Sequence, residues 1–258
     1  MRNYLIVVEG AHDIALIEKL LQLNGVNKRI NSEEQLPKVW KRTIPSVFPF
    51  EEGKLDRITP IPSFIMNEHL SVAIKNAGSD KEIMNVLQQT LDTMLYEEID
   101  QLDAIMLLCD ADIKNADDRR NEMLQNHKEK DDFKLKVQKD KITLDLKVKV
   151  VPIYTYIFPD DTGTGNLENL LLETAQAVYP ELLDLAKEYV SQASEYQDIL
   201  KKEQYAKKAE IGCIANAMKP GKANQVSIAD NEWVSEKSLQ TCVMLQKLNT
   251  VLKQMISE

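Results

Sequence analysis

Two short, unbroken apolar runs, each ended by acids, constrain this chain more than any other feature. Tyr4-Leu5-Ile6-Val7-Val8 leads straight into Glu9-Gly10, and Ala104 to Cys109 (AIMLLC) leads into Asp110-Ala111-Asp112. A run of five or six apolar residues without alternation suits a strand buried on both faces of a parallel sheet, with helices covering each side. Open α/β sheets place their sites beyond the carboxyl ends of such strands. In this chain those ends carry carboxylates.

The remaining pattern fits the same class. DIALIEKLLQL follows Gly10 with Ile14, Ile17, Leu20 and Leu21 at helical spacing, and Asn24-Gly25 suits the helix end. SVAIKNAGS predicts a second strand, followed by a helix over 80–97 and, after Asp112, a charged helix over roughly 116–128. From Phe133 to Phe158, β-branched and aromatic residues alternate with lysine, which predicts a hairpin near 132–150 with one wet face and then a core strand. Asp160 to Gly165 reads as a turn, NLENLLLETAQAVY as a helix, and the chain beyond Glu181 as helical with a break at Lys219-Pro220-Gly221. Residues 28–70 hold Pro37, Pro45, Pro49, Pro60 and Pro62, more than half of the 9 prolines, and predict an insertion or lid rather than a regular layer. The expected fold is therefore α/β, with a mostly parallel sheet flanked by helices. It would comprise a domain over 1–178, interrupted at 28–70, and a helical region over 179–258 packed on that same domain.

Net charge excludes one class of function. At -9 the chain lacks the basic footprint of a general nucleic-acid coating protein. An acidic site that works through bound cations stays open, because the ions invert the local field. Cys109, Cys213 and Cys242 form no CxxC pair and predict reduced thiols. His12, His69 and His127 offer no ligand spacing for structural zinc. The first apolar run is too short for a signal peptide, and nothing approaches the roughly 18–20 apolar residues that cross a bilayer. These readings predict a cytoplasmic protein without a membrane partner.

Glu9 falls at the end of the first strand and Asp13 in the first turn of the following helix. Asp13 could simply complement the helix dipole. Asp110 and Asp112 stand at i and i+2, which on a strand share a face. An isolated DxD also suits phosphatases of the haloacid-dehalogenase type and response-regulator receivers. Neighbouring strand ends lie about 5 Å apart, so the two clusters would bring four carboxylates together. Two such charges about 4 Å apart repel by roughly 4 kcal/mol at an effective dielectric near 20. All-oxygen ligation of a hard ion such as Mg²⁺, Mn²⁺ or Ca²⁺ would relieve that repulsion.

VVEGAHDIALIEKLL followed by LLCDAD resembles the Toprim domain of topoisomerases, primases, OLD-family nucleases and maturase-type ribonucleases. IKNAGSDKEIMNVLQ resembles the strand–Gly–helix unit between those motifs. PDDTGTGNLENLLLE resembles a third acidic segment of the OLD-like branch and its small stand-alone relatives. The resemblance covers most of 1–20 and 72–230 and fails over 28–70. It implies a Rossmann-like Toprim fold, with metal held by Glu9, Asp13, Asp110, Asp112 and Glu168 as two Mg²⁺ or Mn²⁺ ions. Glu9 would take part in catalysis, as would a lysine resembling Lys208, with Lys207, Lys219 and Lys222 competing for that place. The implied activity is metal-dependent cleavage of DNA or RNA, with antiviral defence as the implied setting. No GxxxxGK[ST] segment occurs, so an ABC-type ATPase partner is implied, alongside homo-oligomerisation. A non-cleaving Toprim subunit or sensor that binds metal or nucleic acid is the alternative, and a small-molecule phosphatase a third reading.

Other features have simpler explanations. Lys134, Lys136, Lys139, Lys141, Lys147 and Lys149 could grip a phosphate backbone or guard a sheet edge. Trp40 and Trp233 could stack on bases or pack in the core. Leu239, Val243, Leu245, Leu248 and Leu252 form a stripe suited to core or dimer contact.

Overall fold

The computed structural model describes residues 1–44, 61–128, 130–138 and 141–257. The first apolar run becomes β1 (Arg2–Val8), followed by α1 (Ala11–Leu23). Next come β2 (Lys28–Arg29), β3 (Ser63–Met66), β4 (Leu70–Asn76), α2 (Ile83–Thr93) and α3 (Tyr96–Ile99). The second apolar run is β5 (Leu102–Asp110), and after it lie α4 (Ala116–Gln125), β6 (Lys134–Gln138), β7 (Lys141–Asp145) and β8 (Val150–Phe158). The chain closes with α5 (Leu167–Val178), α6 (Pro180–Ala193), α7 (Glu203–Met218), α8 (Asn224–Asp230), α9 (Glu236–Thr241) and α10 (Val243–Ser257).

The strands form one mixed sheet in the order β2-β3-β4-β1-β5-β8-β7-β6. Its centre, β4-β1-β5-β8, is parallel, and antiparallel strands extend it on both sides. Period-two alternation divides β1 between two cores. Tyr4, Ile6 and Val8 join the cluster under α1, α5 and the C-terminal helices, whereas Leu5 and Val7 face the cluster that includes α2 and α4. Both faces are covered, which is why β1 and β5 show no polar alternation.

The C-terminal helices share the first core. Leu183, Ile211, Trp233, Leu245, Leu248 and Leu252 are buried with Tyr4 and Leu16, while Leu239 packs at the edge of the cluster. Val243, expected on the apolar stripe, is exposed. Both tryptophans are core residues with satisfied ring N–H groups: Trp40 donates to Ser71 Oγ at 2.8 Å and Trp233 to Ser227 Oγ at 3.0 Å.

Residues 28–70 are not wholly an irregular insertion. Their two ends supply β2 and β3, which pair antiparallel and join the sheet through β4. Short strands at a sheet edge tolerate nearby prolines. Pro45, Pro49 and Pro60, on which the lid expectation leaned, lie outside the described residues, as does Lys139. The expected helix over 80–97 is divided into α2 and α3, with Met94 and Leu95 extended between them. At the opposite edge, β6 and β7 form the expected hairpin. Lys134, Lys136, Lys141 and Lys147 are exposed there and Lys149 is half-buried, with Lys136 paired to Asp145 at 3.1 Å.

Candidate functional site

The parallel centre of the sheet delivers its acids to one end of the molecule. Glu9 directly follows β1, Asp110 is the last residue of β5, and Glu168 lies in the first turn of α5 after β8. Asp13 sits in the first turn of α1 and is buried; its Oδ2 accepts the Gly10 N–H at 2.6 Å. Asp110 Oδ1 accepts the Leu167 N–H at 2.8 Å, which ties β5 to the start of α5. Glu9, Asp13, Asp110, Glu168 and Lys208 line one cavity of about 330 Å³ together with His12.

Charge within this cavity is poorly compensated. Burial raises the Asp110 carboxyl well above the usual carboxylate range, and Asp13, Glu9 and Glu168 raise it further. Burial also pushes Asp13 up to about 7, against the opposing hydrogen bond from Gly10, with Glu9 and Glu168 adding to the rise. Glu9 is raised chiefly by burial, with additional repulsion from Asp80 and Asp112. Among the described residues, Glu9 Oε2 and Glu168 Oε2 are buried without a hydrogen-bond partner. Lys208 Nζ lies 3.8 Å from Glu168 Oε1, on a side chain 59% exposed. His12 is held below its usual value, first by burial and then by Lys208, against the pull of Glu168.

Lys208 is the expected lysine that lines this cavity. Lys207 pairs with Glu203 at 2.5 Å, Lys219 pairs with Asp230 at 3.1 Å, and Lys222 is exposed.

Asp112 departs from the expected arrangement. The expectation that it shares a face with Asp110 assumed that the strand continued, but β5 ends at Asp110. Asp112 takes φ 54, in the left-handed region. Its backbone forms a two-bond bridge with Gly165, at 2.7 and 2.8 Å. Gly165 has φ +130, and a Cβ there would meet Asn169 Oδ1 at 3.0 Å and Pro159 Cδ at 3.1 Å, so glycine is required at this crossing. Asp112 consequently lines a neighbouring cleft of about 590 Å³ with Ile113, Thr164 and Lys207. Glu9 adjoins both groups: it lines the first cavity with Asp13 and Asp110, and its carbonyl accepts from Gly78 in the loop that leads to Asp80.

Arg119 and Asp80 escaped the sequence reading. The Ala77 N–H donates to the Val8 carbonyl and the Gly78 N–H to the Glu9 carbonyl, at 2.8 and 3.0 Å, so the loop carrying Asp80 runs beside Glu9. Arg119, only 8% exposed, reaches Asp80 and donates from Nη1 to Glu122 Oε2 at 2.9 Å and from Nε to the Asp110 carbonyl at 2.9 Å. Its Nη2 also lies 3.8 Å from Asp112 Oδ2. The available signal for Asp80 was an acid shortly after the second predicted strand. For Arg119 it was a cation in the helix following the DxD.

Among the described residues, no three His, Cys, Asp or Glu side chains already stand in metal-ligand geometry. The side-chain oxygens of Glu9 and Glu168 that lack a partner among the described residues, beside the raised carboxyls of Asp110 and Asp13, are the atoms of this cavity that could hold a hard divalent cation.

Fold and site define an α/β protein with a cluster of carboxylates at the carboxyl ends of its central parallel strands. The chain belongs to the family described as protein of unknown function (DUF3226), whose model matches residues 3–257. Its fold is similar to the crystal structure of hypothetical protein PH0156 from Pyrococcus horikoshii OT3. That similarity has a TM-score of 0.52 and 17% identity and covers 100% of this chain and 95% of that one. No curated protein matches the sequence. Among the described residues, no helix is long and apolar enough to cross a membrane.

Proposed function

We propose that this protein is a Toprim-like, metal-dependent nuclease that hydrolyses phosphodiester bonds of DNA or RNA. The observation that carries the reading is the gathering of Glu9, Asp13, Asp110 and Glu168, distant in sequence, around one cavity that also receives Lys208. Burial raises the proton affinity of Glu9, Asp13 and Asp110, an arrangement that favours a bound cation over several free charges.

Glu9, Asp110 and Glu168 would hold Mg²⁺ or Mn²⁺, which when bound supplies a polarised phosphoryl oxygen and an activated water. The Gly10 N–H fixes the Asp13 carboxyl, and the Leu167 N–H fixes that of Asp110, so both oxygens are oriented before any substrate arrives. Lys208 stands at the rim, exposed enough to meet a phosphate and close enough to Glu168 to be held over the cavity. There its ammonium would offset charge developing on the phosphate. Glu9 and Glu168 each keep one buried oxygen without a hydrogen bond among the described residues.

An acidic chain with so few cations at the site would hold nucleic acid weakly by itself. That fits the proposal of a cytoplasmic protein working with an ABC-type ATPase or as a homo-oligomer. The test is incubation of purified protein with plasmid, single-stranded DNA and transfer RNA in Mg²⁺, Mn²⁺ or EDTA, with Glu9→Gln and Asp110→Asn as controls. Cleavage that needs metal and vanishes in both variants, each still folded, is the expected result. Metal-dependent binding of nucleic acid without cleavage would replace this reading with the non-cleaving subunit. Hydrolysis confined to small phosphate esters would replace it with a phosphatase.

A further inference from the structure

We propose that Arg119 stands in for a second cation, so that the acidic site takes one divalent ion, on the side of Glu9, Asp110 and Glu168. The inference rests on the metal-site reading above and goes beyond it in ion number. The Toprim resemblance implies two ions, the second near Asp112 and Glu168; the structure puts a guanidinium beside Asp112 and leaves Glu168 in the cavity with Glu9 and Asp110. Arg119 contacts Asp80, Glu122 and Asp112 and is anchored by the Asp110 carbonyl, so loop, strand end and α4 all hold it in place. A guanidinium does not lose its proton at any pH a folded protein meets, and it offers a rigid fork of donors. Its side chain is only 9% exposed, which leaves it little room to swing out toward solvent.

The two sides of Glu9 therefore differ in what neutralises them. On the Asp112 side the carboxylates already have a fixed cation, and Glu122 is held below its usual range by Lys114 and Arg119. A divalent ion placed there would face a fixed positive charge at close range, with twice the repulsion of two unit charges. On the Asp110 side, the cation is Lys208, an exposed side chain at the rim 3.8 Å from Glu168. Among the described residues, Glu168, a buried residue 8% exposed, keeps Oε2 without a hydrogen-bond partner. Among the described residues, that side has carboxylate oxygens to spare and no buried cation, so the ion belongs there.

Equilibrium dialysis of the whole protein against Mn²⁺, with free Mn²⁺ read by electron paramagnetic resonance, counts the ions directly. One Mn²⁺ per chain is expected. Asp112→Asn, at a largely exposed side chain, should keep that ion with affinity within about twofold. Glu168→Gln should weaken it by about tenfold or more, at least what loss of an outer-shell partner costs a metal site. Arg119→Met, if circular dichroism shows it folded, should admit a second Mn²⁺. Two ions in the wild type, loss of an ion in Asp112→Asn, or a folded Arg119→Met that still binds one would each overturn the inference. Absence of any Mn²⁺ binding would instead remove the metal-site reading on which it rests.

Discussion

Replacing Asp13 with asparagine should stabilise the metal-free protein at alkaline pH, although Asp13 is placed here among the acids of the functional site. Asp13 is 5% exposed, and its carboxyl is pushed from 3.8 to about 7, mainly by burial. Each pH unit of such a shift corresponds to about 1.4 kcal/mol, so ionising Asp13 in the folded state costs at most about 4 kcal/mol. Because the folded value lies above the unfolded one, the stability that protonated Asp13 contributes is fully present below about pH 3.8. It is lost as pH rises through about 7. Asparagine keeps an oxygen to accept the Gly10 N–H and never ionises. In EDTA at pH 8, Asp13→Asn should therefore unfold about 2–4 kcal/mol later than wild type in a urea titration, with a Tm rise of up to roughly 8–16 °C for a chain of this size. At pH 4 the two proteins should agree within about 1 kcal/mol. Mn²⁺ at pH 8 should narrow the gap, since a ligand that binds only the folded state stabilises wild type by mass action. A variant less stable than wild type at pH 8 in EDTA, or a gap unchanged between pH 4 and pH 8, would refute the reasoning.

Two other substitutions separate chemistry from packing. Lys208→Ala should lower the cleavage rate about 10²–10³-fold, as removal of one donor to developing charge commonly does, while Lys207→Ala leaves it nearly unchanged; single-turnover kinetics with equal substrate binding would check this, and the reverse ranking would move the role to Lys207. Trp40→Phe should cost about 1–3 kcal/mol, because the buried Ser71 hydroxyl, which donates to Asn3 Oδ1, loses the indole N–H that it accepts. Urea denaturation would show that loss, with cleavage per folded molecule unaltered.

What could be read from the sequence was whatever follows from periodicity. β1 and β5 are visible as apolar runs because both their faces are covered. Glu9 and Asp110 lie at the ends of those runs, and Asp13 and Glu168 lie in the first turns of the helices that follow. Position along a strand or helix is enough to predict where such residues point. Asp112 failed that logic because i and i+2 share a face only while the strand lasts, and the backbone turns left-handed at Asp112 itself. Arg119 was hidden in ADDRRNEMLQ, where charges on all sides give no periodicity. Only packing turns Arg119 inward to Asp80 and Glu122 while neighbouring Arg120 reaches Asp117 and Asp161. Between 28 and 70, proline density masked strands of two and four residues that are too short to show a repeat.

The most direct measurement is an anomalous-scattering map from crystals of the protein soaked in Mn²⁺. A peak within coordination distance of Glu9, Asp110 and Glu168 carboxylate oxygens is the expected result. A map with no peak in that cavity, or with manganese bound only by other residues, would contradict the claim that these strand-end acids exist to hold a cation.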